Sequence, residues 1–461
     1  MSAKFASLGK PRNIIIVVAD SLRYDSVYRN GSIGAPYLEK NAIHFSQARS
    51  SGCWTLPATS CLFSGKVPHE HGATSQTRRI LDEVPTIAEK LKSAGYNTYQ
   101  ITANIATTGV FGLDRGFDEV IKIWQEVDAR FNRLVRLGLI MGKARVRAAL
   151  LSKDKIMNQL FDDIENGNVW AQNTYLDIFD RARKKIEENE KKNEGSFIFI
   201  NLMESHFPYH IAPTFRFAGE GLISRIQESY HLYHFVNQTF LNDDKLPPPK
   251  MMQRIKERQQ ESWRIIQEGV DSFCQEMHED KENLVIFCSD HGDNFGEMNW
   301  VYHFSNVNDA GNRVPLMWLG HEAQEPKTID TPVSSRFIYH SILEKAGLDN
   351  EGGSLFDERA MNLPILSSYW YNNKGKTQEK YKYNQIAFVH ENQRFVWRKG
   401  KWLTAPITKG KDYEAEFVEM DKGSDPIEEF VKDTERKSYL KQKLHDFKIF
   451  DEIVMAKSMD S

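Results

Sequence analysis

Two aspartates and a histidine stand directly after short apolar runs in this sequence. Asp20 closes NIIIVVAD, and Asp290 and His291 follow LVIFCS within CSDHGDNFGE. Carboxylate oxygens with an imidazole nitrogen make a donor set suited to one or two divalent ions, Zn, Mn, Mg or Ca. Taken singly, Asp20 also reads as a helix cap and Asp290-His291-Gly292 as a turn. Their shared placement after strand-like runs is what joins them. A third stretch, GCWTLPATSCLFSG, puts Thr55 just ahead of Leu56-Pro57 and ends on Gly65. Proline fits the first turn of a helix and glycine ends one. The spacing therefore predicts a helix with Thr55 at its N-cap, where backbone N–H groups favour an anion. Thr55 is then either a plain cap or a nucleophile whose hydroxyl a bound metal would acidify.

These residues need elements to hold them. Ile14 to Ala19 is an unbroken apolar, β-branched run, the pattern of a strand buried on both faces of a parallel sheet. Phe197 to Leu202, Leu284 to Cys288 and Pro315 to Leu319 repeat it. Ligands of open α/β sheets bind beyond the carboxyl ends of strands, which is where Asp20, Asp290 and His291 would sit. Helical patterns lie between the runs. Pro85 to Ala94 sets Ile87, Leu91 and Ala94 on one face, with Gly95 as its stop. The alternation predicts an α/β three-layer sandwich around a mostly parallel sheet. Residues 124–190 and 214–280 are charged and helix-prone, and read as helical insertions. Gln385 to His390 and Arg394 to Arg398 read as strands before an apolar-periodic helix near Ile427 to Phe447. A small C-terminal α+β subdomain over 370–461 is thus expected beside a catalytic domain over 1–369.

The 461 residues suit one large domain and a smaller one. A formal net charge of -3 gives no global field for a nucleic-acid partner. Cys53, Cys61, Cys274 and Cys288 are too few and too scattered for a disulfide framework, and Cys288 reads as a reduced core residue. The run before Asp20 is too short for a signal peptide, and no stretch approaches the ~18 apolar residues of a membrane helix. A cytoplasmic protein is expected. Ala129 to Lys155 carries eight Lys or Arg and one acid among apolar residues. It reads as a helix touching lipid head groups or an anionic polymer, or as an outer helix packed by its apolar face. The second reading is favoured, and Gly138 and Gly142 interrupt a single helix.

Five stretches in order resemble the sulfatase-like branch of the alkaline phosphatase superfamily. They are NIIIVVADSLRYDS, WTLPATSCLFSGKVPHEHGA, GYNTYQITAN with GLDRGFDE, NLMESHFPYH, and FCSDHGDNFGEMNWVYHFSN followed by RVPLMWLG. RFVWRKGKWLT is similar to that family's small terminal subdomain. The resemblance implies that Asp20, Thr55, Asp290 and His291 ligate the metal and that Thr55 is the nucleophile. It places His206 toward the ester oxygens or leaving group, His303 beside the transferred group, and Asn104 near the substrate oxyanion. His69 and His71 fall in a recurring family stretch and read as supporting residues. The substrate implied is a small-molecule, glycan-linked or lipid-linked phosphate or sulfate ester. Imidazoles titrate near neutrality and suit general acid work; equally, each histidine could satisfy buried hydrogen bonds.

The sequence departs from the family at three places. Sulfatases oxidise the cysteine of Cys-x-Pro-x-Arg to formylglycine, and here that frame reads Thr55-Leu56-Pro57-Ala58-Thr59. Cys53 lies two residues out of register. Ala103 and Ile105 replace the Lys-x-His of many arylsulfatases, and Ser21 replaces a second aspartate. A hydrated aldehyde expels sulfate by collapsing to the carbonyl, and a threonine ester cannot. Phosphoryl transfer proceeds with metal and positioning alone. The leading expectation is a phosphodiesterase or phosphotransferase with a covalent Thr55 intermediate. The alternatives are a sulfuric ester hydrolase without formylglycine and a non-catalytic metal-binding module.

Overall fold

A computed structural model describes residues 9–29, 31–126, 174–207, 248–303, 307–321, 325–350, 352–357, 365–369, 384–408 and 417–459. The apolar runs form strands. β1 (Asn13–Ala19), β2 (Ile43–Phe45), β3 (Tyr96–Thr102), β4 (Glu119–Lys122), β5 (Gly195–Leu202), β6 (Asn283–Cys288), β7 (Leu316–Leu319) and β8 (Thr328–Ile329) make one eight-stranded sheet. Its order is β8-β2-β7-β6-β1-β5-β3-β4. The strands β6, β1, β5, β3 and β4 are mutually parallel. β7 runs antiparallel to both β6 and β2, with Leu316 opposite Cys288. Its apolar run suggested another parallel strand. Apolar periodicity reports burial on two faces but carries no direction, so a reversed strand reads the same.

Alternation along β1 builds the layers. Ile14, Ile16 and Val18 share a core with residues of α1 (Thr55–Ser64), α2 (Ile87–Ser93) and, late in the chain, the helix Phe337–Lys345. Ile15, Val17 and Ala19 face the opposite core with α3 (Tyr175–Glu190) and α4 (Pro249–Glu279), through Ile178, Phe179, Trp263, Ile266 and Phe273. Successive strand residues point to opposite faces, so one strand feeds both layers. The sandwich expected from the sequence is present. α2 carries the capping box that Thr86 and Glu89 permit. Of the expected helical insertions, α3 and α4 are seen as layers of the core; the basic segment 129–155 lies outside the described residues. All four cysteines are buried and free. Among the described residues no helix is long and apolar enough to cross a membrane.

β9 (Ile365–Tyr369), β10 (Gln385–His390), β11 (Gln393–Arg398), β12 (Lys401–Pro406) and β13 (Val418–Glu419) form a five-stranded antiparallel sheet in that order. Ile386, Phe388, Phe395 and Trp402 pack with Ile427, Val431, Leu440 and Phe447. The opposite face sets Ala387, Val396 and Leu403 against Cys53 and Val307, with Trp54 packed alongside. The small sheet therefore backs directly onto the segment that leads to Thr55. Where one helix was expected near Ile427 to Phe447 there are two, Pro426–Phe430 and Thr434–Met459. The chain leaves helical geometry at Val431, whose ψ is 107.

One buried ion cluster ties this sheet to Arg49, in the short strand Ala48–Arg49 outside the eight-stranded sheet. Asp309 accepts from Arg49 at 2.8 and 3.1 Å, from Thr408 N at 2.7 Å, and from Arg394 of β11. Burial raises the Asp309 carboxyl, but the Arg394 and Arg49 charges overcome that and hold it well below the usual range. A depressed folded value stabilises above the unfolded carboxyl pKa of about 4, and the contribution is lost as pH falls. Asp309→Ala strands two buried guanidinium groups. It should cost about 3–5 kcal/mol in urea unfolding; a loss under about 1 kcal/mol, the range of surface pairs, would contradict the account.

Candidate active site

Four neighbouring strands deliver side chains to one edge. Beyond β1 comes Asp20, beyond β3 Asn104, beyond β5 His206, and beyond β6 Asp290 and His291. The ends are tied past the strands: Asp20 N donates to Leu202 O at 2.9 Å and Ala103 N to Asn201 O at 3.1 Å. Ser21 then turns the chain with φ 60, a strained setting for a non-glycine residue. In that setting Ser21 N donates to Asp290 Oδ1 at 3.1 Å and its hydroxyl donates to Asp20 Oδ1 at 3.0 Å. The position where the family has a second aspartate thus braces the two carboxylates.

Thr55 enters from the facing helix. It was expected at the N-cap of α1 and is instead the first helical residue. The N-cap is Trp54, extended at φ -166 and ψ 168, without a side-chain cap bond. Backbone conformation, not residue type, decides the cap, and Trp54 O accepts from Ala58 N at 3.1 Å. The Thr55 hydroxyl lies 3.4 Å from His291 Nε2 and 3.4 Å from Asn104 Nδ2. Gly52 permits this entry, since a Cβ there would lie 2.4 Å from Ala58 N. Gly65 ends α1 at φ 68, as its sequence position predicted.

Asp20, Asp290 and His291 are fully buried and Thr55 is buried. Asp20 Oδ2 accepts from Asn104 Nδ2 at 2.7 Å and Asn201 Nδ2 at 3.1 Å. His291 Nε2 is 3.6 Å from Asp20 Oδ1 and 3.5 Å from Asp290 Oδ2. His291 Nδ1 is 2.9 Å from Gly292 O, which puts its hydrogen on Nδ1 and turns a basic Nε2 toward the carboxylates. Burial pushes Asp290 up, and the Asp20 charge adds to this. Burial also opposes ionisation of Asp20, but His206, His291 and the two asparagines bring it down. Burial lowers His291, and Asp290, Asp20 and Asp293 more than reverse that. Asp290 Oδ2 is buried with no hydrogen-bond partner among the described residues. Two adjacent buried carboxylates, one orphaned oxygen, one imidazole nitrogen and a hydroxyl fit a divalent cation by donor type. Ligand atoms of Asp20, Asp290 and His291 all lie within 4.8 Å of one another.

A second group of like spacing joins His291 to Asp293 and His303. His303 Nδ1 is 2.6 Å from Asp293 Oδ1. The His303 ring lies 5.0 Å from that of His206 and 4.7 Å from that of His291. Burial pulls His303 down to about 4, against the Asp293 charge. Arg23, fully buried, donates to Asp293 O at 3.0 Å, Glu297 at 2.6 Å and Asp25 at 2.7 Å. All seven residues expected at the site converge, with His206 and His303 side by side. His69 and His71 sit elsewhere, the first edge-on to Phe447 and the second 3.3 Å from Cys61 Sγ. The sequence reading missed Asp293, Arg23 and Asn201. Asp293 was visible as the second aspartate of DHGD, but its partner lies ten residues on.

The sulfatase family profile matches residues 12–348. The chain belongs to the sulfatase family. Its fold is that of the sulfatase-like branch of the alkaline phosphatase superfamily. A curated sulfatase of Formosa agariphila is 26% identical over 113 residues, 24% of this chain and 22% of its own length. The chain thus matches only about a fifth of that relative. The phosphonate monoester hydrolase of Silicibacter pomeroyi superposes with TM-score 0.57 at 14% identity, over 95% of each chain. A protein solved with D-glucosamine-2-N,6-O-disulfate as its substrate gives 0.57 at 13% identity, over 96% of this chain and 97% of that one. In this sulfatase-family chain, chelation should strip the metal and abolish ester turnover. Asp290→Asn should lose bound metal and activity together, read by elemental analysis and assay. Full activity in metal-free protein would refute the centre.

Proposed function

We propose that this chain is a metal-dependent hydrolase or transferase of phosphate esters, with phosphodiesters favoured, working through a covalent phosphothreonine at Thr55. The observation that carries this reading is the Thr55 hydroxyl, which sits against His291 and Asn104 and is not spent on capping α1. Cys53, the one cysteine near the formylglycine frame, is buried in the packing with Val307, Ala387 and Val396. With Thr55 at the frame position, the proposed chemistry uses no aldehyde.

Asp20, Asp290, His291 and Thr55 would hold the divalent ion. When bound, it would acidify the Thr55 hydroxyl and take up charge developing on the transferred group. Asn104 Nδ2 links the Thr55 hydroxyl to Asp20 and holds its direction. The first backbone N–H groups of α1 favour anionic oxygens at the same end. His206 and His303 stand together beside this cluster, suited to exchanging protons with the leaving group and the acceptor. Substrate choice then follows from the nucleophile. A phosphorylated threonine is resolved by water or another hydroxyl, whereas a sulfated one has no internal route of release. The fit to a phosphonate monoester hydrolase agrees with phosphoryl substrates. A sulfuric ester hydrolase without formylglycine is the second reading, favoured by the family match and by the neighbour solved with a sulfated sugar. Glycan-linked, lipid-linked and small-molecule esters all remain within this substrate class.

Thr55→Ala should remove nearly all turnover, and Thr55→Ser should keep a measurable part. Rapid quenching with a phosphodiester should leave a phosphoryl mass on the Thr55 peptide. A steady-state preference for aryl sulfates by several orders of magnitude would overturn the phosphoryl assignment. His206→Ala and His303→Ala should each lower kcat by roughly 10²–10⁴, with the loss for His206→Ala smaller on good leaving groups. Equal losses across leaving groups in His206→Ala would exclude leaving-group protonation by that residue.

A further inference from the structure

The segment that carries His303 is built with more constraint than a surface turn requires. Asn294–Phe295 pairs with Val301–Tyr302, and the strand ends are locked by Asn294 Nδ2 donating to Tyr302 O at 2.7 Å. Asn308 Nδ2 donates in turn to Asn294 Oδ1 at 2.8 Å. Tyr302, directly before His303, is held at φ 59, and Met298 at φ 50. Backbone strain in a large aromatic residue persists only where surrounding contacts over-determine it. What the strain achieves is the short contact between His303 Nδ1 and Asp293 Oδ1. Asp293 is itself clamped, because its carbonyl accepts from the buried Arg23. The sheet-end loop and the hairpin thus converge on one carboxylate–imidazole pair.

We propose that Asp293 is a positioning residue that fixes the hydrogen of His303 on Nδ1, so that Nε2 is the base that accepts the proton of the acceptor resolving the Thr55 ester. The proposal rests on the Thr55 reading above. An imidazole that donates through one ring nitrogen presents the other as its basic site, and a buried carboxylate both selects that tautomer and holds the ring plane. At 2.6 Å the two atoms lie at the distance of a charge-assisted hydrogen bond. In the step proposed, the acceptor oxygen bonds to phosphorus as the Thr55 Oγ1–P bond breaks. The electron pair of that bond returns to Oγ1. The acceptor proton passes to His303 Nε2 and then to solvent or to the next leaving group. Acceptor here means water or an alcohol.

The test uses a p-nitrophenyl phosphodiester with the metal-loaded full chain. Its leaving group departs without protonation, so a lost base shows only in the second half-reaction. Asp293→Asn should lower kcat by about 10–100-fold while raising the quenched fraction of phosphorylated Thr55. Metal content and Tm should stay at the wild-type values. His303→Gln leaves Asp293 in place and should give the same build-up, so the outcome does not hang on one variant folding. The double variant should be no slower than His303→Gln alone. A slower enzyme with an unchanged phosphorylated fraction, additive losses, or loss of metal in Asp293→Asn would each overturn the proposal. No adduct in the wild type or in either single variant would overturn the Thr55 reading together with this one. An adduct in the wild type that does not rise in either variant would overturn this one alone.

Discussion

Two carboxylates, Asp20 and Asp290, are buried side by side at the ends of adjacent parallel strands. Taking one charge out of water is costly, and taking two of like sign into contact is costlier still. The surroundings answer most of this demand. Asn104 and Asn201 donate to Asp20, the strained Ser21 donates to both carboxylates, and His291 lies between them. What stays unanswered is Asp290 Oδ2, which no donor among the described residues reaches. A fold that tolerates this arrangement has a use for a cation there. The parallel order β6-β1-β5 makes the arrangement possible, since it delivers Asp290, Asp20 and His206 from neighbouring strands on one edge.

The same constraint orders the parts around it. Thr55 must approach from the opposite element, and Gly52 lets the chain fold tightly onto Ala58 to bring it there. The small antiparallel sheet then packs on Cys53 and Trp54, so it buttresses the segment that presents Thr55. Asp309 joins that sheet to Arg49 of the short strand Ala48–Arg49. Arg23 joins the loop after Asp20 to the hairpin before His303. Each buried guanidinium is matched with carboxylates and carbonyls, which is the condition for tolerating it. The cost of breaking any of these pairs falls on the geometry of the site as much as on stability.

How much of this was legible depended on how local the signal was. Ile14 to Ala19 reads as a buried strand because every residue is apolar and β-branched or small, and no polar residue breaks the run. Asp20, Asp290 and His291 could be joined because each followed such a run. The direction of Leu316–Leu319 was hidden, since hydrophobicity has no sense along the chain. Thr55 was misplaced by one residue because the extended backbone of Trp54 makes the cap, and no residue-type rule favours Trp there. The break at Val431 was masked by apolar spacing that continues through it. Asp293 was hidden for a different reason: its meaning depends on a strained hairpin bringing His303 back across ten residues. Arg23 reads as an ordinary surface charge until its three partners, Asp25 beside it and Asp293 and Glu297 from one distant segment, are seen around it.

The central claim is that phosphoryl groups pass through Thr55, and stereochemistry at phosphorus tests it most directly. A phosphodiester made chiral with oxygen isotopes or sulfur would be turned over by the metal-loaded enzyme and the product configuration determined. In-line displacement inverts phosphorus at each transfer. Two successive transfers, onto Thr55 and off it, predict net retention. Net inversion would mean a single direct displacement, and would contradict a covalent threonine intermediate whatever the other residues do.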